Sequence, residues 1–318
     1  MRLIDWREAS PAALNDVWRD QVTRWNERLS WDSSANWAEV EIERRSGRLP
    51  GLILLDDQRV YGWTFFLLHR NTLQIGAFES DSSASTRTLL DAVLATGSPS
   101  VAPEGVLLFA FSAAPGLVPG LVARGFDTAP YRYLVRDVGD ARPPACTMPW
   151  SIEAATQLPS LLARAYGEPE LTRPFARQGT DAEWREYAGQ LLASAACGTF
   201  DTGLSAARFA PDGRLAAAVV TTLVGHGTAH IAQVVVSPDE RGKGTANALL
   251  QEVIAKCRQA GLERVSLLVS EHNPGARRLY QRAGFAETAS FVSAGRRPTM
   301  RAVTVGAVAR TDSRDATF

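Results

Sequence analysis

The sequence predicts two tandem domains of mixed α/β (α+β) composition, each built of strands and helices. Three observations carry this. Apolar, β-rich runs are joined by short polar turns. Between them, apolar residues recur at helical spacing. The whole pattern then occurs a second time along the chain.

In the first half, Leu3 to Trp6 reads as a strand and Pro11 to Trp25 as a helix. Leu52 to Leu55, Val60 to Leu68 and Thr72 to Phe78 read as strands, with Asn71 in a hairpin turn. The second half begins alike, with a strand expected at Trp150 to Ala154 and helices at Leu158 to Ala165 and Asp181 to Ala193. Strands follow at Leu204 to Ala210, Leu215 to Leu223 and His230 to Val236, with a turn at Gly225-His226-Gly227. Between the halves, Gly139-Asp140-Ala141-Arg142-Pro143-Pro144 reads as a linker. The expected domains are therefore 1–140 and 148–304, with a disordered tail at 305–318.

The repeat is visible residue by residue. Pro274-Gly275 and Gly284-Phe285 have the same spacing as Pro115-Gly116 and Gly125-Phe126, and Leu249-Leu250 falls on Leu89-Leu90. A duplicated domain explains these matches.

Hydrophobic residues make up 45% of the chain, enough for a core in each half. Lys plus Arg and Asp plus Glu number 34 each, so no net field draws nucleic acid or an anionic membrane. No apolar run approaches the roughly 18 residues of a membrane span, and the first residues lack the apolar stretch of a signal peptide. Cys146, Cys197 and Cys257 are few and scattered. They argue against a disulfide framework or a metal site and fit the cytoplasm.

The chemistry concentrates between Ile231 and Leu250. The apolar run Val234-Val235-Val236 ends at Ser237-Pro238, the turn Asp239 to Gly244 follows, and a helix starts near Thr245, closing at Gly261. A strand feeding a glycine-rich turn and a helix start is an anion site, because the first N–H groups lack partners and the helix dipole favours negative charge. Gly242 and Gly244 allow close backbone approach, while Arg241 and Lys243 add positive charge. The same turn also reads as a plain strand-to-helix connection. A Walker loop is excluded because Ser237 stands at its first glycine and Gly244, not Ser or Thr, follows Lys243.

Arg241-Gly242-Lys243-Gly244-Thr245-Ala246 is similar to the Arg/Gln-x-x-Gly-x-Gly/Ala signature of the GCN5-related N-acetyltransferase (GNAT) superfamily, and Val234, Val236 and Pro238 precede it as that family's pattern does. Downstream, Val265 to Val269 reads as a strand. Asn273, Ala276, Leu279-Tyr280 and Gly284-Phe285 then resemble the family's second motif. The resemblance covers Ala229 to Phe285 closely and the rest of the second half loosely, and with the repeat it implies two tandem acyl-CoA N-acyltransferase folds, each a mixed, mostly antiparallel sheet flanked by helices.

The resemblance also implies roles. Acetyl-CoA is the co-substrate, its pantetheine arm held by the backbone of Gln233, Val234, Val235 and Val236. Its phosphates lie on Arg241, Gly242, Lys243, Gly244, Thr245 and Ala246, with Asn273 and Arg277 completing the cofactor site. Tyr280 is placed at the thioester sulfur. A phenol of pKa about 10 is suited to protonate a departing thiolate of pKa about 8.5. Attack requires a neutral amine, so a proton must leave it; His230 is the expected base, with His272 and Glu271 as alternatives. Strand alternation predicts that His230 and Gln233 face opposite sides. Tyr166, Glu168, Glu170, Phe175, Trp184 and Tyr187 are candidates for the acceptor pocket.

The first half has Asp81-Ser82-Ser83-Ala84-Ser85-Thr86 where the second has its glycine loop, with Ala114 at the position of Asn273 and Leu121 at that of Tyr280. It reads as a degenerate GNAT-like domain. Its six tryptophans, Trp6, Trp18, Trp25, Trp31, Trp37 and Trp63, are candidates to line an acceptor pocket or bury an interdomain face, with ordinary core packing the simpler reading for most. The doubled architecture resembles mycothiol synthases, but no motif ties the sequence to their substrate. The expected partner is a small-molecule or peptide amine, and the expected state monomer or homodimer. Two rival readings are a non-catalytic CoA sensor or partner protein and an aminoacyl-tRNA dependent transferase, against which the intact phosphate loop argues.

Overall fold

The computed structural model describes residues 1–57, 59–96, 105–111, 113–139, 149–193, 198–225 and 227–297. Most of the expected linker, His226 of the second hairpin turn, Cys146, Cys197 and the tail at 305–318 lie outside the described residues.

The first half runs β1 (Arg2–Asp5), α1 (Pro11–Leu29), α2 (Ser34–Arg45), β2 (Gly51–Leu55), β3 (Val60–His69), β4 (Thr72–Ser80), α3 (Ser83–Thr96), β5 (Val106–Phe111), α4 (Leu117–Val122) and β6 (Asp127–Asp137). The second half runs α5 (Ile152–Tyr166), α6 (Asp181–Leu192), β7 (Thr199–Phe200), β8 (Ala206–Phe209), β9 (Leu215–Gly225), β10 (Thr228–Val236), α7 (Thr245–Gln259), β11 (Arg264–Ser270), α8 (Pro274–Arg282) and β12 (Ala286–Arg296).

The strand expected at Trp150 to Ala154 is instead the start of α5. Ser151 Oγ accepts from the Ala154 N–H at 3.1 Å and caps the helix, so an N-cap outweighs the β preference of Ile152. Only Pro149 keeps a bridge to the sheet, at Ala206. Helix α1 runs a turn further than its pattern predicts, and α2, α3, α4, α8, β5, β6, β7 and β12 have no counterpart in the sequence reading.

All strands join one sheet of twelve, in the order β1-β2-β3-β4-β5-β12-β6-β11-β10-β9-β7, with β8 on β9. Only β4–β5 and β10–β11 are parallel; every other pair is antiparallel. The last strand of each half is exchanged. β12 enters the first half's sheet against β5, and β6 lies against β11 of the second half. The two exchanged strands also pair with each other along most of their length.

The repeat extends to irregular backbone. Gly76 is an extra residue in β4 opposite Phe65 and Phe66, and Ala232 an extra residue in β10 opposite Thr221 and Val220. Beyond each bulge the parallel partner is lost: β4 meets β5 only from Leu73 to Ile75, and β10 meets β11 only from Thr228 to Ile231. Each half therefore contains a V-shaped gap between two splayed strands.

The core lies on both faces of this sheet. Helix α7 buries Leu249, Leu250, Val253, Ile254 and Cys257 on Ala229, Ile231, Val265 and Leu267. On the opposite face, α5 and α6 bury Leu158, Leu161, Leu162 and Trp184 on Ala218, Val220 and Val235. Four of the first-half tryptophans, Trp6, Trp18, Trp37 and Trp63, pack on one another as expected of core residues. Trp25 and Trp31 sit at the seam with the second half, beside Phe111 and His230, the interdomain position that the sequence also allows. The halves also clasp each other through side chains. His69 and Arg70 at the β3–β4 turn meet Glu186 of α6 at 2.7 and 2.5 Å, and the Asp32 N–H donates to Val224 O at 3.0 Å.

Candidate active site

The second half's gap opens where β10 leaves β11. At its outer end, the Ser237-to-Gly244 turn carries the chain into α7. Gly242 and Gly244 take φ of 77° and 78°, a left-handed region that favours glycine. A Cβ at either would meet no atom within 4 Å, so these glycines border open space. Gly244 caps α7 without a side-chain hydrogen bond, and no N–H from Gly242 to Asn247 donates to another described residue. Thr245 Oγ1 is buried and without a partner among the described residues. Six N–H groups without a described acceptor and a buried hydroxyl thus cluster at one helix N-terminus, an arrangement that suits an oxyanion-rich ligand. Arg241 is anchored by donating to Ala165 O at 2.7 Å, and Lys243 sits 3.0 Å from Glu240. The fit for the pyrophosphate of an acyl-CoA rests on the backbone first and on these two cations second.

The first half's equivalent is closed. Ser82 Oγ accepts from the Ser85 N–H and Thr86 Oγ1 donates to Pro115 O. Asp81 holds Arg59 at 2.9 Å and accepts from Ser85 Oγ. The loop's own side chains thus take one N–H at the start of α3 and the Thr86 hydroxyl, and the Asp81 carboxylate adds negative charge beside them. Leu121, at the position of Tyr280, is fully buried.

Tyr280 lies on the inner face of α8, packed on Phe285 and 6% exposed. Asn273 Oδ1 accepts from the Ala276 N–H at 3.0 Å and caps α8, so its side chain fixes the helix that carries Tyr280. Arg277, a turn further on, is half-buried. Burial, with Tyr166 nearby, pushes the Tyr280 phenol above its usual range, so it is protonated at neutral pH. Among the described residues its hydroxyl makes no hydrogen bond.

His230 has other surroundings. It pairs with Ser266 below the splay, where the strands are still joined. Its Nδ1 lies 3.0 Å from Ser266 Oγ, and its ring stacks near Tyr133 and Trp31. Burial pushes its pKa down to about 4. A neutral imidazole enclosed by the seam is suited to packing and not to accepting an amine proton. His230 and Gln233 also share one face of the sheet, contrary to the expected alternation, because the bulge at Ala232 places two residues opposite one and resets the pattern.

On that face lies an aromatic group from α5, α6 and the loop between them. Tyr166 stacks on Trp184 at 5.7 Å and Phe175 on Tyr187 at 4.1 Å. Tyr187 Oη donates to Gln233 Oε1 at 2.8 Å. The structure thus brings four of the six acceptor-pocket candidates together. Glu168 and Glu170 stay exposed at the rim. Two residues of this group were not foreseen. Arg173 is buried under Trp184 and donates to the carbonyls of Glu168, Phe175 and Ala176. Tyr131, on exchanged strand β6, lies within electrostatic reach of Tyr166, Glu170 and Arg173. Nothing local in the sequence marks Tyr131, since it reaches the site only through the strand exchange.

A sheet parted at a bulge, with an unpartnered helix start beside the gap and a buried, protonated tyrosine on the following helix, is an arrangement that suits N-acyl transfer. Residues 158–285 match the model of the Acetyltransferase (GNAT) family, and this part of the chain is a GNAT domain. Solved structures agree on the fold. A GCN5-related N-acetyltransferase from Sphaerobacter thermophilus is 20% identical, with 93% of this chain and 96% of that one covered, at a TM-score of 0.64. A GNAT-family acetyltransferase from Colwellia psychrerythraea is 13% identical over 93% and 99%, at 0.53. A tandem GNAT protein from the clavulanic acid biosynthesis pathway is 16% identical over 92% and 98%, at 0.50. The family and the fold support acyl transfer as the chemistry. No helix among the described residues is long and apolar enough to cross a membrane.

Proposed function

We propose that this protein transfers an acetyl group from acetyl-CoA to a primary amine of a small molecule or peptide, and that the second half carries the reaction. The observation that most supports this reading is the open, uncapped start of α7 beside the β10–β11 gap, set against the closed counterpart in the first half. The phosphates would be held by the N–H groups of Gly242 to Asn247 and by the Thr245 hydroxyl, the pantetheine arm by β10 from Gln233 to Val236.

When bound, acetyl-CoA supplies an acyl group on a good leaving group. The chain's residues then have three tasks. The gap aligns donor and amine, replacing an encounter in solution. The amine nitrogen gains the acyl carbon and loses one proton to water. Tyr280 Oη gives its proton to the departing sulfur and regains one from water. A buried phenol held protonated at neutral pH is fitted to that last step.

The test is calorimetric titration with acetyl-CoA of the native chain and of Gly244→Glu, followed by a panel of amines. We expect one site per chain, abolished by the carboxylate, and turnover of at least one amine. Absence of binding by the folded native protein would sink the donor assignment.

A further inference from the structure

A file of hydrogen bonds crosses the bulge of β10. Tyr187 Oη donates to Gln233 Oε1 at 2.8 Å; Gln233 Nε2 donates to Tyr166 Oη at 2.7 Å and to Val234 O at 3.0 Å. The Val234 carbonyl settles which way the amide points, because a carbonyl oxygen only accepts. Gln233 is 6% exposed, so water does not replace these partners. Both amide protons are therefore used, and Tyr166 Oη is held as an acceptor. Its own proton has no acceptor among the described residues.

That proton is well placed. Tyr166 ends α5 one residue after Ala165, whose carbonyl anchors Arg241 of the phosphate loop. Tyr166 as a residue is 36% exposed, its hydroxyl is desolvated, and it lies near enough to Tyr280 to raise that phenol further. Burial raises both, so both are donors at neutral pH and neither is a base. An amine about to attack must keep its lone pair free, so a group with only a proton left to offer serves the acyl oxygen and not the nucleophile. The sulfur already falls to Tyr280.

We propose that Tyr166 is a second functional tyrosine of the site, whose hydroxyl donates to the carbonyl oxygen of the donor thioester, and that Gln233 and Tyr187 are the residues that aim it. This rests on the acyl-transfer reading above. A preorganised donor at the place where negative charge develops is worth about 10²–10³ in rate, and here its orientation is fixed by the protein before any ligand arrives.

The probe is acetyl-CoA carrying ¹³C at the thioester carbonyl, observed by difference infrared spectroscopy, with affinity measured by calorimetry on the same samples. A hydrogen bond to the carbonyl lowers its stretching frequency on binding. We expect that lowering in the native chain, its loss in Tyr166→Phe with little change in affinity, and an intermediate band in Gln233→Leu. With an amine from the panel, Tyr166→Phe should lower kcat about 10²-fold and leave KM for acetyl-CoA nearly unchanged. An identical carbonyl band in native and Tyr166→Phe complexes would overturn the proposal. So would loss of acetyl-CoA binding by folded Tyr166→Phe, which would make the hydroxyl a binding group. If the native chain itself binds no acetyl-CoA, the parent reading fails and this one falls with it.

Discussion

Replacing Phe291 by alanine asks whether the strand exchange welds the two halves into one folding unit. Phe291 belongs to the last strand of the second half, yet its ring stacks on Phe111 at 4.3 Å and Phe109 at 5.4 Å, both in the first half. It is 9% exposed. Truncating a buried phenylalanine costs about 3–5 kcal/mol, a large share of the roughly 5–15 kcal/mol that typically holds a native protein. Six of the eight tryptophans lie in the first half, so tryptophan fluorescence reports mainly on that half. With a urea slope of about 3 kcal/mol per M, the fluorescence midpoint should fall by about 1 M or more. It should also coincide with the loss of far-ultraviolet circular dichroism in a single transition. Two separated transitions, with the tryptophan midpoint unmoved by Phe291→Ala, would refute the argument that β12 stabilises the first half.

Gly244→Ala places a Cβ in open space on a left-handed residue, so it should cost only about 1–2 kcal/mol of stability while weakening acetyl-CoA binding at least tenfold; titration and melting of the same variant separate the two effects. Tyr280→Phe should lower kcat by about 10²–10⁴ with acetyl-CoA affinity retained, and full activity in that variant would favour a non-acid role for the ring. His230 is held neutral with a pKa of about 4, below its ordinary value near 6.5. The unfolded chain therefore takes up a proton first, and the stability His230 contributes is complete above pH 6.5 and lost as pH falls through 4. That loss amounts to about 3 kcal/mol, and urea midpoints between pH 7 and 4 should fall more steeply for the native chain than for His230→Gln.

The sequence by itself determined the elements and the chemistry of the phosphate loop. Apolar runs placed eight of the twelve strands, Gly242 and Gly244 marked a turn that needs left-handed backbone, and the spacing from Asn273 to Phe285 carried the second family motif, though not the helix that Asn273 caps. These are local properties, written in residues near one another in the chain. Local preference failed at Ile152, where the Ser151 cap turned an expected strand into a helix, and at Ala232, where one extra residue moved Gln233 to the face of His230. Both depend on what the neighbouring strand or helix requires. The exchange of β6 and β12 had no local signature, because each strand has the same apolar pattern whichever sheet it enters. Only the tertiary structure decided that Tyr131 of the first half reaches the second half's site, that His230 is sealed beneath the seam, and that Tyr166, Gln233 and Tyr187 join across a bulge. Such contacts between residues distant in sequence follow from packing two duplicated units into one sheet, and periodicity along the chain does not encode them.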